Sequence, residues 1–127
     1  RRDLVFRAAQ MVGLKDALMQ LPGTLPQAGL RRLEIAKAIA TEPELLLLDE
    51  PFAGLNMAEV EELSTIIRKL REDGHTIVLV DHNMRGLMKL VNRVVVINFG
   101  EKLAEGKPDE VSQNKEVQDA YLAGGGI

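Results

Sequence analysis

Residues 45–51 read LLLLDEP, four leucines followed directly by two acids and a proline. A short apolar run without alternation is typical of a parallel strand that is covered on both faces. We therefore expect a buried strand over residues 45–48. Such a strand would hold Asp49 and Glu50 still at its end, where carboxylates suit a metal ion or a water molecule. The alternative is that the two acids merely leave the sheet and cap the following turn.

The segments around this strand alternate between helix and strand. Asn56 is expected to be the N-cap of a long helix. Glutamates lie at the start of this helix and arginines and a lysine at its end, which matches the helix dipole, and Gly74 follows the helix end. Further helices are predicted at 4–12, 28–40, 83–90, 108–112 and 115–122, further strands at 76–80, 93–98 and 102–105, and a flexible tail at Gly124–Gly126. This alternation predicts an α/β fold with a largely parallel sheet.

Composition narrows the function classes. The chain has 127 residues and a net charge of −3, so it has no overall electrostatic attraction to nucleic acid or anionic lipid. Only 3% of its residues are aromatic, so we do not expect a set of aromatic side chains that stacks on bases. It has no cysteine, which excludes disulfides and thiolate metal sites. No apolar run approaches the ~20 residues of a membrane span. We therefore expect no nucleic-acid partner and no direct membrane insertion, so that any membrane role goes through a partner protein.

The second predicted strand also ends in polar residues. TIVLV at 76–80 is followed by Asp81 and His82. Ligands of open α/β sheets bind beyond the carboxyl ends of the strands, and a histidine there can donate a hydrogen bond to a phosphate oxygen. The alternative is an ordinary exposed loop histidine. His75 precedes its strand, at the opposite end, and we assign it no role.

Residues 24–42, TLPQAGLRRLEIAKAIATE, lead from a loop into a helix. The free N–H groups of a helix N-terminus favour an anion. The alternative is an ordinary amphipathic helix. In both cases the helical pattern places Leu30, Leu33, Ala36 and Ile39 on one side and Arg31, Arg32, Glu34 and Lys37 mostly on the other, solvated side.

Taken together, these motifs carry a family resemblance. The stretch LPQAGLRRLEIAKAIATEPELLLLDEPFAGLN, followed by DHNM at 81–84, resembles the ATP-binding subunit of ABC transporters in the order and spacing of its signature loop, Walker B strand, D-loop and H-loop. RRLEIAKAIATEPELLLLDEP, VVVINFGEKLAEGKPDEV and EVQDAYLAG are most similar to the branched-chain amino acid uptake subfamily. The resemblance covers nearly the whole chain.

The resemblance implies the C-terminal part of an ABC-type P-loop NTPase fold, mainly a parallel sheet with flanking helices and part of the helical subdomain. Residues 1–43 would form the end of the helical subdomain with the signature loop and helix, and residues 44–127 the C-terminal part of the ATPase core. The P-loop pattern G-x-x-x-x-G-K-[ST] does not occur. GEKLAEGK at 100–107 has one residue too many between its glycines, and Pro108 follows where Ser or Thr is required. We therefore expect this chain to correspond to the C-terminal half of the subunit, as a start at a residue other than Met also suggests, with the missing P-loop strand lying between 76–80 and 93–98.

The resemblance also implies roles at the strand ends. Asp49 would end Walker B and serve Mg²⁺, and Glu50 would be the catalytic base. His82 would be the switch histidine that contacts the γ-phosphate of ATP.

Two loops complete the implied site. Residues 53–56 would form the D-loop, with Asn56 reaching across a dimer interface, and residues 25–29 would form the signature loop. The nucleotide-binding positions of that loop are Pro26, Gln27, Ala28 and Gly29. They depart from the family's LSGGQ, because proline replaces the phosphate-binding serine, Gln27 and Ala28 replace the glycines, and Gly29 replaces the glutamine.

The function implied is ATP binding and hydrolysis in a transporter for amino acid import, with the present chain inactive by itself. The implied partners are a second ATP-binding subunit, identical or different, and transmembrane permease subunits that hold the protein at the cytoplasmic face of the cell membrane. One alternative is a non-catalytic interaction module, which the missing P-loop favours and the set Asp49, Glu50 and His82 opposes. Another is a soluble ABC-type ATPase of DNA repair or translation, against which the low basic charge counts.

Overall fold

The computed structural model describes residues 2–122, so the expected tail at Gly124–Gly126 lies outside the described residues. The helices are α1 (Arg2–Met11), α2 (Gln27–Ile39), α3 (Met57–Glu72), α4 (Met84–Leu90), α5 (Pro108–Ser112) and α6 (Lys115–Val117), and the strands are β1 (Leu45–Asp49), β2 (Thr76–Val80), β3 (Val94–Asn98) and β4 (Glu101–Gly106). Short 3₁₀ helices at Lys15–Ala17 and Pro22–Thr24 precede α2, and a π-helix at Gln118–Leu122 continues α6. The predicted helices and strands are therefore confirmed, with ends that differ by at most two residues.

The chain divides into two compact units, Arg1–Val80 and Asp81–Ile127. The first unit contains α1, α2, β1, α3 and β2, and the second contains α4, β3, β4, α5 and α6. The expected division into a helical subdomain over 1–43 and an ATPase core over 44–127 remains a prediction.

Each unit contains a two-stranded sheet. In the first, β1 and β2 pair in parallel with Leu45 opposite Thr76 and Asp49 opposite Val80. In the second, β3 and β4 form an antiparallel hairpin. Within residues 2–122 the outer edge of β2 pairs with no strand, as expected if a further strand of the family fold belongs beside it.

The prediction that β1 is covered on both faces is wrong for the described chain. Leu46 and Leu48 are buried, but Leu45 and Leu47 on the opposite face are 52% and 69% exposed. Val78 and Val80 of β2 are exposed as well. Successive side chains of a strand point to opposite faces, so an all-leucine sequence permits two buried faces but does not supply the element that covers the second one.

Helix α3 follows the expectation from sequence closely. Asn56 accepts a hydrogen bond from the Glu59 N–H (2.9 Å), and the Glu59 carboxylate accepts one from the Asn56 N–H (3.2 Å), which forms a capping box. One face is buried; its residues are Val60, Leu63, Ser64, Ile67 and Leu70. Gly74, with a φ of 103°, follows the helix end in a conformation that favours glycine.

The second unit is organised around the β3–β4 hairpin. Phe99 and Gly100 form its turn with φ values of 50° and 77°, as a two-residue type I′ turn requires. The segment GEKLAEGK lies on this turn and on β4, so it forms no phosphate-binding loop. The hydroxyl of Tyr121 donates a hydrogen bond to the carbonyl oxygen of Ile97, which ties the C-terminal π-helix to β3.

Candidate functional site

Asp49 is the last residue of β1, opposite Val80 at the carboxyl end of the parallel pair. Its side chain is exposed and lies on the same sheet face as Leu45 and Leu47. A strand anchored by buried Leu46 and Leu48 fixes the position of this carboxylate. The geometry therefore places an accessible oxygen ligand where open α/β sheets bind their ligands.

Glu50 begins the turn that leaves β1. Its N–H donates to the carbonyl oxygen of Val80 (2.6 Å), which extends the β1–β2 ladder by one bond. Its φ is 48°, a left-handed conformation that is uncommon for a residue other than glycine. Pro51 and Phe52, directly after it, are buried. The turn thus fixes the backbone of Glu50 while its side chain stays exposed to solvent.

The loop 53–56, which we call the D-loop segment, connects this turn to α3. The Ala53 N–H donates to the Glu50 carbonyl (3.2 Å), and the Leu55 N–H donates to the Phe52 carbonyl (3.1 Å). Gly54 has a φ of 77°. The side-chain oxygen of Asn56 is engaged as the N-cap of α3, so the segment is held by local hydrogen bonds at both ends.

The predicted signature loop forms the first turn of α2. Pro26 is the N-cap residue, with a φ of −66° and no hydrogen bond from its side chain, and its carbonyl accepts from the Leu30 N–H (3.0 Å). The N–H groups of residues 27–29 belong to the helix start, where no intrahelical acceptor exists. Gly29 is buried, and a Cβ there would lie 3.2 Å from Cβ of Leu25. The Gly29 that replaces the family's glutamine therefore sits where a side chain would crowd Leu25.

Two arginines of α2 that were expected on a solvated face make contacts within the first unit. Arg31 is half-buried and its Nη2 donates to the carbonyl oxygen of Ala53 (3.3 Å). The Nη2 of Arg32 pairs with the Glu62 carboxylate of α3 (2.6 Å). On the expected apolar side, Ala36 and Ile39 are buried and Leu30 and Leu33 are half-buried, and Ile35 is buried in addition.

Nothing local in the sequence distinguishes Arg31 and Arg32 from solvated basic residues. Their partners lie 22 and 30 residues away along the chain, in elements that only the fold brings close. The available signal was their position next to the predicted loop, one turn after Gln27.

His82 lies in the second unit and is exposed. The loop around it is ordered by neighbouring side chains. The Asp81 carboxylate accepts from the Asn83 N–H (2.8 Å), and the Asn83 side chain accepts from the Gly86 N–H (3.0 Å) at the start of α4. The structure thus brings residues 26–29, 49–50 and 53–56 into one unit and places His82 in the other.

Among residues 2–122 there is no group of three or more His, Asp or Glu side chains that could hold a metal ion. Mg²⁺ is commonly held by one or two protein carboxylates together with substrate phosphates and waters. The exposed Asp49 carboxylate at a rigid strand end fits this kind of Mg²⁺ binding. It does not fit a site in which every ligand of the metal comes from the protein.

Comparison with known proteins finds relatives of one kind. A family model described as branched-chain amino acid ATP-binding cassette transporter matches residues 101–122. The chain is 42% identical over 112 residues to the high-affinity branched-chain amino acid transport ATP-binding protein BraF of Pseudomonas aeruginosa, which covers 87% of this chain and 44% of that protein. It is 40% identical over 114 residues to the corresponding protein LivG of Escherichia coli K12, which covers 89% of this chain and 45% of LivG.

Over 87–89% of its length the chain is similar to ABC transporter ATP-binding proteins. BraF, LivG and the matching family model all carry the description of branched-chain amino acid transport, the subfamily that the sequence motifs indicated. The lipopolysaccharide export ATP-binding protein LptB of E. coli is still 37% identical over 109 residues, so identity at this level is shared by members that serve different cargoes. The chain spans about 44–45% of the length of BraF and LivG.

Solved structures confirm the ABC-type fold. An ATP-binding cassette of an ABC transporter, MJ1267, superposes with a TM-score of 0.88 at 21% identity over 94% of this chain and 49% of that chain. The cbiO1 protein of Clostridium perfringens, part of the transporter complex cbiONQ, superposes with a TM-score of 0.84 at 28% identity over 94% of this chain and 48% of that one. Among the helices of residues 2–122, none is both long and apolar enough to cross a membrane.

Proposed function

We propose that this chain forms part of the ATP-binding and ATP-hydrolysing subunit of an ABC transporter that imports branched-chain amino acids. The observation that carries the proposal is the position of Asp49 and Glu50 at the carboxyl end of the β1–β2 pair, the edge at which this class of sheet binds ligands. The names of BraF and LivG support the cargo class.

In the intact protein, Asp49 would hold Mg²⁺ that arrives with ATP, and the metal would neutralise developing charge on the phosphates. Glu50 would accept a proton from water as the water oxygen bonds to the γ-phosphorus and the bond from that phosphorus to the ADP oxygen breaks. The fixed backbone of Glu50 supports this role, because its N–H bond to Val80 and the buried residues after it limit where the carboxylate can go.

The remaining predicted residues would act on the nucleotide from other directions. His82 would donate a hydrogen bond to a γ-phosphate oxygen. The first turn of α2, at Pro26, Gln27, Ala28 and Gly29, would approach the nucleotide of a second subunit with its backbone N–H groups, since Pro26 offers neither hydroxyl nor N–H. Asn56 would contribute to the same interface between subunits.

This assignment implies two kinds of partner. A second ATP-binding subunit, identical or different, would complete each nucleotide site. Transmembrane permease subunits would form the path for the amino acid and hold the ATP-binding subunits at the cytoplasmic face of the cell membrane.

The test is ATP turnover by the intact protein, in wild-type form and with Glu50→Gln. We expect Glu50→Gln to keep ATP binding and to lower kcat by ~10²–10⁴-fold, the usual contribution of a general base. Glu44→Gln is the matched control, since Glu44 is an exposed glutamate just before the other end of β1. A wild-type protein that binds no ATP would favour the non-catalytic module, and wild-type turnover by Glu50→Gln would remove Glu50 from the role of base.

A further inference from the structure

Arg31 joins the signature helix to the D-loop segment within one chain. Its side chain leaves the second turn of α2, is half-buried, and donates from Nη2 to the carbonyl oxygen of Ala53 at 3.3 Å. The two residues are separated by 22 positions in sequence and by the whole of β1. The contact therefore reports how α2 and the segment after β1 lie against each other.

A second contact joins the same two segments. Gly54 has a φ of 77°, and a Cβ added there would lie 3.8 Å from Cγ of Gln27, in ordinary van der Waals contact. The side chain of Gln27 therefore lies beside the backbone of Gly54. Since Gln27 begins α2 and Arg31 follows one helical turn later, both contacts come from the same side of the helix.

The bonding capacity of the Arg31 guanidinium is only partly used. Its Nε is buried and has no hydrogen-bond acceptor among the described residues. A guanidinium is planar and has five N–H donors, so it can bind one carbonyl oxygen and still have donors for a second carbonyl oxygen. The ammonium of a lysine sits on a flexible stem and holds such acceptors less rigidly. The planar guanidinium is thus suited to hold the Ala53 carbonyl in place.

The D-loop segment depends on a contact of this kind. Its own bonds are the turn from Ala53 to Glu50, the turn from Leu55 to Phe52 and the capping box at Asn56. All three are local, so they fix the shape of the segment. The Arg31–Ala53 bond joins the segment directly to α2, and the Arg32–Glu62 pair joins α2 to the helix that follows the segment.

We propose that Arg31 is a positioning residue that fixes the D-loop segment against the first turn of α2, so that residues 26–29 and residues 53–56 keep a constant spacing. This inference rests on the proposed function only for its consequence in catalysis. In this role Arg31 acts through Ala53 on the two loops that would face the partner subunit.

The structural arm of the test measures hydrogen–deuterium exchange in the intact protein without nucleotide. The probes are the N–H groups of Ala53 and Leu55, which close the two turns of the segment. We expect Arg31→Met to raise their exchange by about fivefold, the effect of one hydrogen bond of ordinary net strength, because the bond to Ala53 is long at 3.3 Å. Arg31→Lys, which keeps a donor, should restore most of the protection. Lys37→Met is the control, because Lys37 is an exposed cation on the same helix.

Two results would overturn the proposal. One is exchange at Ala53 and Leu55 within about twofold of wild type in Arg31→Met; the other is a parallel rise at every amide, which would indicate general destabilisation. If Arg31→Met does not fold, Arg31→Gln takes its place. The glutamine side chain is polar but too short to reach Ala53, so the same rise in exchange is expected.

The functional arm separates positioning from binding. Arg31→Met should lower kcat for ATP by about fivefold and change KM by less than about twofold, because the contact aligns loops and does not itself hold the nucleotide. A change in KM alone would contradict the role. A wild-type protein without ATP turnover would defeat the proposed function, while the exchange measurement would still decide the role of Arg31.

Discussion

At the scale of the residue, Glu50 illustrates how the site is held. A left-handed conformation costs an L-residue about 1–2 kcal/mol, and such conformations persist where the surroundings impose them. Here the bond from the Glu50 N–H to Val80 and the burial of Pro51 and Phe52 impose it. The same turn that strains the residue also fixes the direction in which its carboxylate leaves the sheet.

Gly54 is the neighbouring position where the backbone requires glycine. Gly54→Ala should lower the free energy of unfolding by about 1 kcal/mol, since a φ of 77° is unfavourable for any residue with a Cβ. Gly23→Ala is the control, because nothing lies within 4 Å of a Cβ built there and its φ is not left-handed. Urea unfolding of the intact protein measures both. Equal effects at the two positions would show that the conformation of Gly54 does not matter.

At the scale of the element, local sequence signals predicted the helices and strands, but they did not predict the contacts between these elements. The Asn56 cap, the charge gradient of α3 and Gly74 all act within a few residues, so they could be read from the sequence. The partners of Arg31 and Arg32 depend on how α2 lies against β1 and α3, which no local pattern encodes. The same limit explains why LLLL predicted two covered faces, since β propensity and hydrophobicity do not say what lies above a strand.

The β3–β4 hairpin contains a carboxyl group whose pKa is shifted by its neighbours. Arg93 donates to the Glu105 carboxylate (2.7 Å) and Lys102 pairs with it (3.0 Å), and these bonds hold the pKa of Glu105 below its ordinary value of 4.5. A depressed carboxylate pKa stabilises the fold above pH 4.5, and this contribution is lost as the pH falls through the lower pKa of the folded state.

We expect Arg93→Ala to raise the pKa of Glu105 toward its ordinary value, because the Arg93 hydrogen bond is the largest cause of the shift. An NMR titration of the Glu105 side-chain carboxyl measures this. Arg85→Ala, which removes an exposed arginine elsewhere in the same unit, serves as the control. An unchanged Glu105 titration in Arg93→Ala would show that the pair in the hairpin does not persist in solution.

At the scale of the whole molecule, the sequence predicted the fold family and the position of Asp49 and Glu50 at a strand end. The structure adds that, within the described chain, one face of the β1–β2 pair is exposed and the outer edge of β2 is unpaired. Leu47 and Val78 lie opposite each other on the exposed face of the β1–β2 pair, and the outer edge of β2 pairs with no strand among residues 2–122. Exposed apolar faces and unpaired strand edges both favour association with another chain.

The 127-residue chain expressed by itself should therefore self-associate. We expect sedimentation velocity to show a weight-average mass that rises with concentration, and Leu47→Lys combined with Val78→Lys to shift the population toward monomer, because two charges on the apolar face oppose its burial in a contact. Met19→Lys is the control, since Met19 is 97% exposed but lies outside the sheet. A wild-type chain that sediments as a monodisperse monomer and melts cooperatively would show that the open face and edge are tolerated in water. An equal shift in Met19→Lys would place the cause in overall hydrophobicity and net charge, and not in the β1–β2 face.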